Sequence, residues 1–483
     1  MDIVRFNIQT YDSDTIRALI NYHKENLLPR YNKLQGYYDY KHDILNRKNE
    51  DDSKPNNKLV DDYPGYIVNL ATGYFMGNPV TYYSDSDTSD EYMQKLKDIF
   101  DYNDEADENI EIAKTCSIKG EAFEMIYTDA DGKTRFIRVP NEQILLVYDE
   151  NIDPTPICAV RYYSVSEPTA YGQDEVLPIV KVEVYTKDQI LYYDDYLGEL
   201  TLTDQKDNLF GDVPIIHFKN NYELTGDFEG VISLIDAYDN MQSDSMNDFD
   251  YFSDAYLMLK GMSGTDTEDV ATMKKNRVIL VDDDGDARWL VKDINDTAVE
   301  NFKKRLNSDI HKFSKTPDLD DEKFSGNLSG IAIKFKLFCL EQLAVMKERK
   351  FKKALQRRNE LITNMLNLKG NNYNYTEVDM TFVRNIPANL VDIATMINDL
   401  RGVVSNQTLI AQLPFVTDVQ EEMDKVKQEQ EENPSVNLDN VPSRVDGGGK
   451  DGQQPVLDEQ ASTDSPQHLQ QSGTEESKAT PGV

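Results

Sequence analysis

Apolar positions recur mostly at helical spacing over residues 15–46 and 58–72. "GYFMGNPVTYY" then breaks the pattern at Gly77 and Pro79, which predicts a strand next. A further amphipathic helix is predicted over residues 91–117. From residue 120 to 220 the texture changes to alternating β-branched and aromatic residues. "FEMIYTDADGKTRFIRV" predicts a hairpin around Asp131 and Gly132, "VKVEVYTKDQILYY" a second strand pair, and "VPIIHF" the close of a sheet-rich unit.

Residues 229–259 then read as one helix, with Val231, Leu234, Tyr238, Met241, Phe249, Phe252, Tyr256 and Leu259 close to a single stripe. That helix carries many aspartates, among them Asp244 and Asp248, and no basic residue. An insert, residues 260–292, follows, with a short helix at "TEDVATMKK" and a hairpin in which "RVILV" and "ARWLV" flank "DDDGD". The chain returns in a second helix, 297–313, which contains Lys303, Lys304 and Arg305.

The longest helical pattern runs from 331 to 369, roughly 60 Å at 1.5 Å per residue, and Gly370 stops it. Shorter helices are predicted at 389–401 and 406–413, then a charged one in "TDVQEEMDKVKQEQEEN". Beyond Asn433 the chain is rich in Pro, Ser, Gly, Gln and Asp, with no aromatic after Phe415, so this tail is expected to be disordered. The fold class predicted is α+β and mainly helical, and 483 residues suggest two to four structural units.

Charge narrows the function. With 51 basic against 87 acidic residues the net charge is −36, which opposes tight binding to DNA or anionic lipid by counterion release. Against that background the segment 331–369 has ten basic residues and three acidic ones. Beside the acidic helix at 229–259, it suggests opposite surfaces meeting between elements or between subunits.

Candidate chemistry is sparse. "KFSGNLSGIAIKFK" offers Gly326 and Gly330, but a phosphate-gripping loop needs lysine directly after the second glycine, and Ile331 stands there. "DDDGD" and "DADG" lack the full ligand spacing of a calcium loop and read as hairpin turns. The histidines show no HExxH or HxxxH spacing, and no serine sits in a GxSxG elbow. Cys116, Cys158 and Cys339 lack CxxC spacing, so neither a disulfide framework nor a zinc site is supported, and a reducing cytosol is the expected place of folding. No metal or other cofactor is expected. The opening residues show no basic region followed by an apolar core, and no apolar run approaches membrane-spanning length, so neither secretion by that route nor a membrane span is expected.

At "SGNLSGIAIKFKLFCLEQLAVMKERKFKKALQRRNELI" the chain resembles the portal proteins of long-tailed phages of Gram-positive hosts. "YIVNLATGYFMGNPVTY", the helix–insert–helix of 229–313, and "TFVRNIPANLVDIATMINDLRGVVSNQTLIAQLPFV" match in the same order, so the resemblance covers about residues 15–430. It implies a non-enzymatic ring, usually of twelve copies, at one capsid vertex. Double-stranded DNA passes through it without sequence specificity, driven by the terminase large subunit. The implied partners are that motor, a head-completion adaptor, and the major capsid and scaffolding proteins. The implied location is the virion, with the host cytoplasm during assembly.

The resemblance implies a β-rich wing (1–228), two stem helices (229–259 and 297–313) and a small α/β clip (260–296). A tunnel loop (314–330), a long wing-to-crown helix (331–369) and a helical crown (370–432) complete it. DNA-facing candidates around the tunnel loop are Lys312, Lys315, Lys323, Ser325 and Asn327. Clip candidates for partner docking are Lys274, Lys275, Arg288 and Trp289, and subunit-interface candidates are Lys303, Lys304, Arg305, Asp244 and Asp248. The alternative in another class is a structural or scaffold-binding capsid assembly protein without a channel. An enzyme built on the Gly/Ser loop is a distant third.

Overall fold

In the computed structural model, described residues are 3–49, 54–84, 90–166, 179–253, 256–260, 266–276, 286–290, 296–319, 330–385, 390–410, 412–413, 416 and 419–432. The chain opens with helices α1 (Ser13–Asn26), α2 (Leu28–Tyr38) and α3 (Tyr63–Met76), then strand β1 (Thr81–Tyr83) and helices α4 (Asp90–Asn103) and α5 (Glu105–Lys119). Eight strands follow: β2 (Glu121–Thr128), β3 (Thr134–Val139), β4 (Ile144–Tyr148), β5 (Pro156–Val165), β6 (Ile179–Thr186), β7 (Gln189–Tyr196), β8 (Glu199–Asp207) and β9 (Ile215–Lys219). Next come α6 (Ile232–Ser253), β10 (Tyr256–Lys260), α7 (Thr267–Asn276), β11 (Asp286–Leu290) and α8 (Asp296–Ser314). The chain continues through α9 (Gly330–Lys336), α10 (Phe338–Leu368), β12 (Asp379–Thr381), α11 (Leu390–Leu400), α12 (Asn406–Ile410) and α13 (Val419–Glu432).

This is a mixed α and β fold, as the two hydrophobic periods predict. Strands β4 to β8 form an antiparallel meander, and β2 is central in a second sheet of order β3-β2-β9. The β2–β3 hairpin turns at Gly132, whose φ of 76° favours glycine, and Asp129 Oδ1 accepts from the Asp131 and Lys133 amides. α1 and α2 cover one face of the meander through Ile16, Leu19 and Tyr31 against Val147, Val160 and Val184. Phe123 and Ile215 of the smaller sheet close on its other face against Leu146 and Ala159. β4 is therefore buried along its whole length, which explains its unbroken "ILLVY".

The largest core gathers around α10. Phe351, Leu355 and Ile362 pack with Phe75 of α3, Leu96 of α4, Ile112 of α5 and Phe218 of β9. A further core of Leu34, Ile67, Val68, Ile235 and Ile310 joins α2 and α3 to the roots of α6 and α8.

Several predicted boundaries shift, each for a local reason. The helix expected over 229–259 ends at Ser253, because Tyr256–Lys260 forms strand β10, pairing antiparallel with β11. "ARWL" thus takes its described partner from 256–260, and "RVILV" and all of "DDDGD" but Asp286 lie outside the described residues. The helix expected over 91–117 breaks at Asp104, held at φ 54°. The one expected over 58–72 starts at Tyr63, where Asp62 caps the amide of Gly65 and Pro64 sits in the first turn. The long pattern at 331–369 becomes α9 and α10, meeting at Leu337. There the N–H still bonds Ile333 and the carbonyl accepts from Glu341, so the hydrogen-bond ladder runs through the break. Gly370, at φ 94°, lies just past the end of α10, as expected.

One core histidine carries a pH prediction. His23 is fully buried; its Nδ1 meets the Tyr162 hydroxyl at 2.7 Å and its Nε2 meets no hydrogen-bond partner among the described residues. Burial pushes its pKa down to about 4 from 6.5. Between those values the unfolded chain holds the proton and the folded chain does not, so stability falls as pH drops below 6.5 and levels off below 4. The full drop from this group is about 3 kcal/mol. Denaturant unfolding at pH 7 and pH 4.5, compared between wild type and His23→Phe, should show the gap closing in acid. A gap independent of pH would refute it.

Candidate functional site

The helices α6 and α8 pack against each other, and two short strands and a helix lie between them in sequence. α6 is the acidic helix, and its polar groups are used along its length by one segment of the chain, residues 42–61. His42 is fully buried; its Nδ1 meets Asp239 Oδ2 at 2.6 Å and its Nε2 meets the Tyr37 carbonyl at 3.0 Å. Asp239 also accepts from the Asp61 amide, and Asp236 accepts from the Tyr37 hydroxyl at 2.6 Å. Further along, Ser243 Oγ accepts from the Leu59 amide, Arg47 donates to Asp244 at 2.8 Å, and Asn57 donates to Asn247 and Asp250. The described parts of this segment, residues 42–49 and 54–61, are thus a polar strap on α6.

α8 is anchored at its other end. Tyr63 donates to Asn307 Oδ1 at 2.8 Å, Asn307 donates to Asp318, and Tyr66 donates to the Pro317 carbonyl while accepting from the Leu319 amide. His311 sits edge-on to the rings of Tyr63 and Tyr66. The described start of the loop after α8 is therefore pinned to α3.

Lys312 and Lys315 are exposed there, Lys312 over the Phe313 ring at 5.6 Å and Lys315 with φ 60°. Lys323, Ser325 and Asn327 lie outside the described residues. Lys274 and Lys275 are on α7, Lys275 exposed; Arg288 and Trp289 are on β11, in register with Met258 and Leu257. Lys303 is half-buried, reaching Glu300 at 3.3 Å and lying 6.0 Å over the Tyr238 ring of α6. Lys304 and Arg305 are exposed, and Asp248 is half-buried. Asp244 already has Arg47 as a partner within the chain. Both helices also expose aromatics: Phe249 is 61% exposed, Phe302 50% and Phe313 57%.

The basic segment behaves differently from its sequence expectation, because several of its cations are used inside the chain and not on the acidic helix. Arg358 is completely buried and bidentate to Glu124, at 2.8 and 2.6 Å, with further bonds to Glu105 at 3.1 Å and Asn109 at 2.9 Å. Its guanidinium lies 4.5 Å over the Phe136 ring. Burial works against this charge, but the facing carboxylates outweigh it and hold its pKa above the ordinary value. Lys347 pairs with buried Asp227, which Ser117 and Asn220 also bind. Arg357 bridges Asp212 and Glu360. These contacts tie α10 to α5, β2 and the end of the sheet unit.

The cavity beside Glu121, His217, Tyr31 and Tyr148 measures about 20 Å³, room for one water and far below the ~300 Å³ at which ligand pockets begin. Among the described residues, no group of His, Cys, Asp or Glu is arranged to hold a metal ion, and no helix is long and apolar enough to cross a membrane.

Two portal proteins align over most of the chain. One, from Bacillus phage SPP1, is 28% identical over 416 residues, covering 82% of this chain and 80% of that one. The other, from Clostridium phage phiCD119, is 23% identical over 415 residues, covering 80% and 90%. A chain in a solved neck of an empty GTA particle, computed with C6 symmetry, superposes with a TM-score of 0.43 at 10% identity, covering 75% of this chain and 89% of that chain. The model of the family described as phage portal protein, SPP1 Gp6-like, matches residues 17–435. With that match spanning both packed helices, the loop after them and the long basic helix, the chain belongs to the SPP1 Gp6-like family of phage portal proteins.

Proposed function

We propose that this chain assembles into a ring-shaped channel at one vertex of a phage capsid, through which a terminase motor packages DNA and through which the DNA later leaves. The observation that carries this reading is the family match over residues 17–435. In this reading residues 1–228 are the wing, α6 and α8 the stem, 260–296 the clip, and 314–330 the tunnel loop. The long helix then leads to a crown over 370–432. ATP hydrolysis belongs to the motor, and α7 with the β10–β11 pair is the docking element for terminase and the head-completion adaptor.

The physical chemistry fits a conduit. Each phosphate contact adds salt-sensitive affinity that would resist sliding, and a net charge of −36 keeps such contacts few. Lys312 and Lys315, exposed where the chain leaves α8, give transient contacts, as do Lys323, Ser325 and Asn327 in the same loop. The exposed Phe249, Phe302 and Phe313 offer apolar surface for a neighbouring subunit.

Negative-stain images and mass measurement of the purified protein should give a closed ring that does not turn over ATP. A monomer at every concentration, or ring-independent ATP hydrolysis, would defeat the proposal. Reversing charge with Lys315→Glu and Lys323→Glu should leave particle assembly intact and reduce packaged DNA. Normal packaging by that double variant would remove the guiding role of the loop lysines.

A further inference from the structure

Four cations near the middle of α10 stand apart from the buried pairs. Lys219, at the end of β9, and Arg349, Lys350 and Lys353, on the outer side of α10, have no ion-pair partner among the described residues. Burial and the like charges of Lys350 and Lys353 push the Lys219 pKa down, against the pull of Glu121. Lys350 lies 5.3 Å over the ring of Tyr222, which is 78% exposed, and Met346, one turn earlier on α10, is 47% exposed. A chain with 36 surplus negative charges thus leaves a basic ridge, studded with an aromatic and a thioether, unmatched on its own surface.

The same compact unit, Met1–Glu422, carries the complement. At the α4–α5 corner Asp101, Asp104 and Asp107 are exposed, again with no cation paired to them among the described residues. A ring is closed by a heterologous interface, in which two different and complementary patches of each copy meet. Tyr, Met and Arg are enriched in protein–protein interfaces, which favours a protein occupant over a nucleic acid.

We infer that the ridge of Lys219, Arg349, Lys350 and Lys353 docks on the acidic α4–α5 corner of a second copy of this chain. The inference rests on the ring-forming reading above and names the surfaces that close the ring. Opposite charge steers the encounter and fixes its register, while Tyr222 and Met346 supply contact area.

The test uses the full chain, with assembly followed by mass photometry across protein concentration and salt. K350E/K353E should raise the concentration needed for half-assembly by at least about tenfold, as should D101K/D107K. The quadruple variant carrying both swaps should recover most of the wild-type midpoint. Thermal unfolding of the doubles should match wild type, since these side chains make no ion pair inside the chain; K350Q/K353Q, with a smaller shift, serves if a reversal unfolds. Wild-type assembly by K350E/K353E overturns the inference and leaves the ring reading standing. A quadruple variant no better than the doubles also overturns it. So does a K350E/K353E ring that assembles normally but has lost affinity for a short DNA duplex, since the ridge is then a nucleic-acid surface. A wild-type chain that never assembles defeats the ring reading itself, and the inference with it.

Discussion

Arg358→Ala will lower stability by about 3–5 kcal/mol, the cost of breaking a buried ion pair from one side. The substitution leaves Glu124, fully buried, without its bidentate partner, and removes the link from α10 to Glu105 and Asn109 on α5. Arg358→Lys should recover little, because an ammonium cannot reproduce the fork that meets both Glu124 oxygens. The informative comparison is Arg358→Met with and without Glu124→Leu: removing both charges should be less damaging than removing one. Urea unfolding of the four variants measures this, and a loss below about 1 kcal/mol for Arg358→Ala would contradict the assigned burial.

Asp239→Ala is the second large effect, about 3 kcal/mol, since it leaves two hydrogen-bonding groups on the strap without their acceptor. It strips His42 of its carboxylate partner and the Asp61 amide of its acceptor, at the point where the strap is tied to α6. The damage should be local. Hydrogen exchange at the Leu59 and Asp61 amides should rise by orders of magnitude while the β2 amides near Arg358 keep their protection. Asp239→Asn, which retains an acceptor, should lose less. Uniform loss of protection across the chain would show that the strap is not a separate unit.

Much of the element order was readable because two periods, 3.6 and 2, alternate cleanly along the chain. The Asp131–Gly132 hairpin and the strand pair at 179–196 lie where the pattern puts them. The misreadings share a cause. Tyr256–Lys260 continues an apolar stripe that suits a helix, and only its pairing with β11 makes it a strand. The cations of the long helix were visible as charge, but a sequence does not say that Lys347 and Arg358 point into the core at Asp227 and Glu124.

The strap was the least legible feature. His42, Arg47, Asn57 and Asp61 follow no period, because each is placed by a different residue of α6. Of the tunnel-loop candidates, Lys312 and Lys315 are exposed, while Lys323, Ser325 and Asn327 fall outside the described residues.

Of the three cysteines, Cys116 and Cys158 are buried and Cys339, on the first turn of α10, is exposed. Burial pushes the Cys116 and Cys158 thiols up, to about 12 for Cys158, and so slows their reaction. A maleimide dye will therefore report from one place per subunit. Stepwise photobleaching of labelled particles then counts the copies in each ring directly, and energy transfer between adjacent dyes gives the polygon's edge, the two quantities that a single chain does not encode.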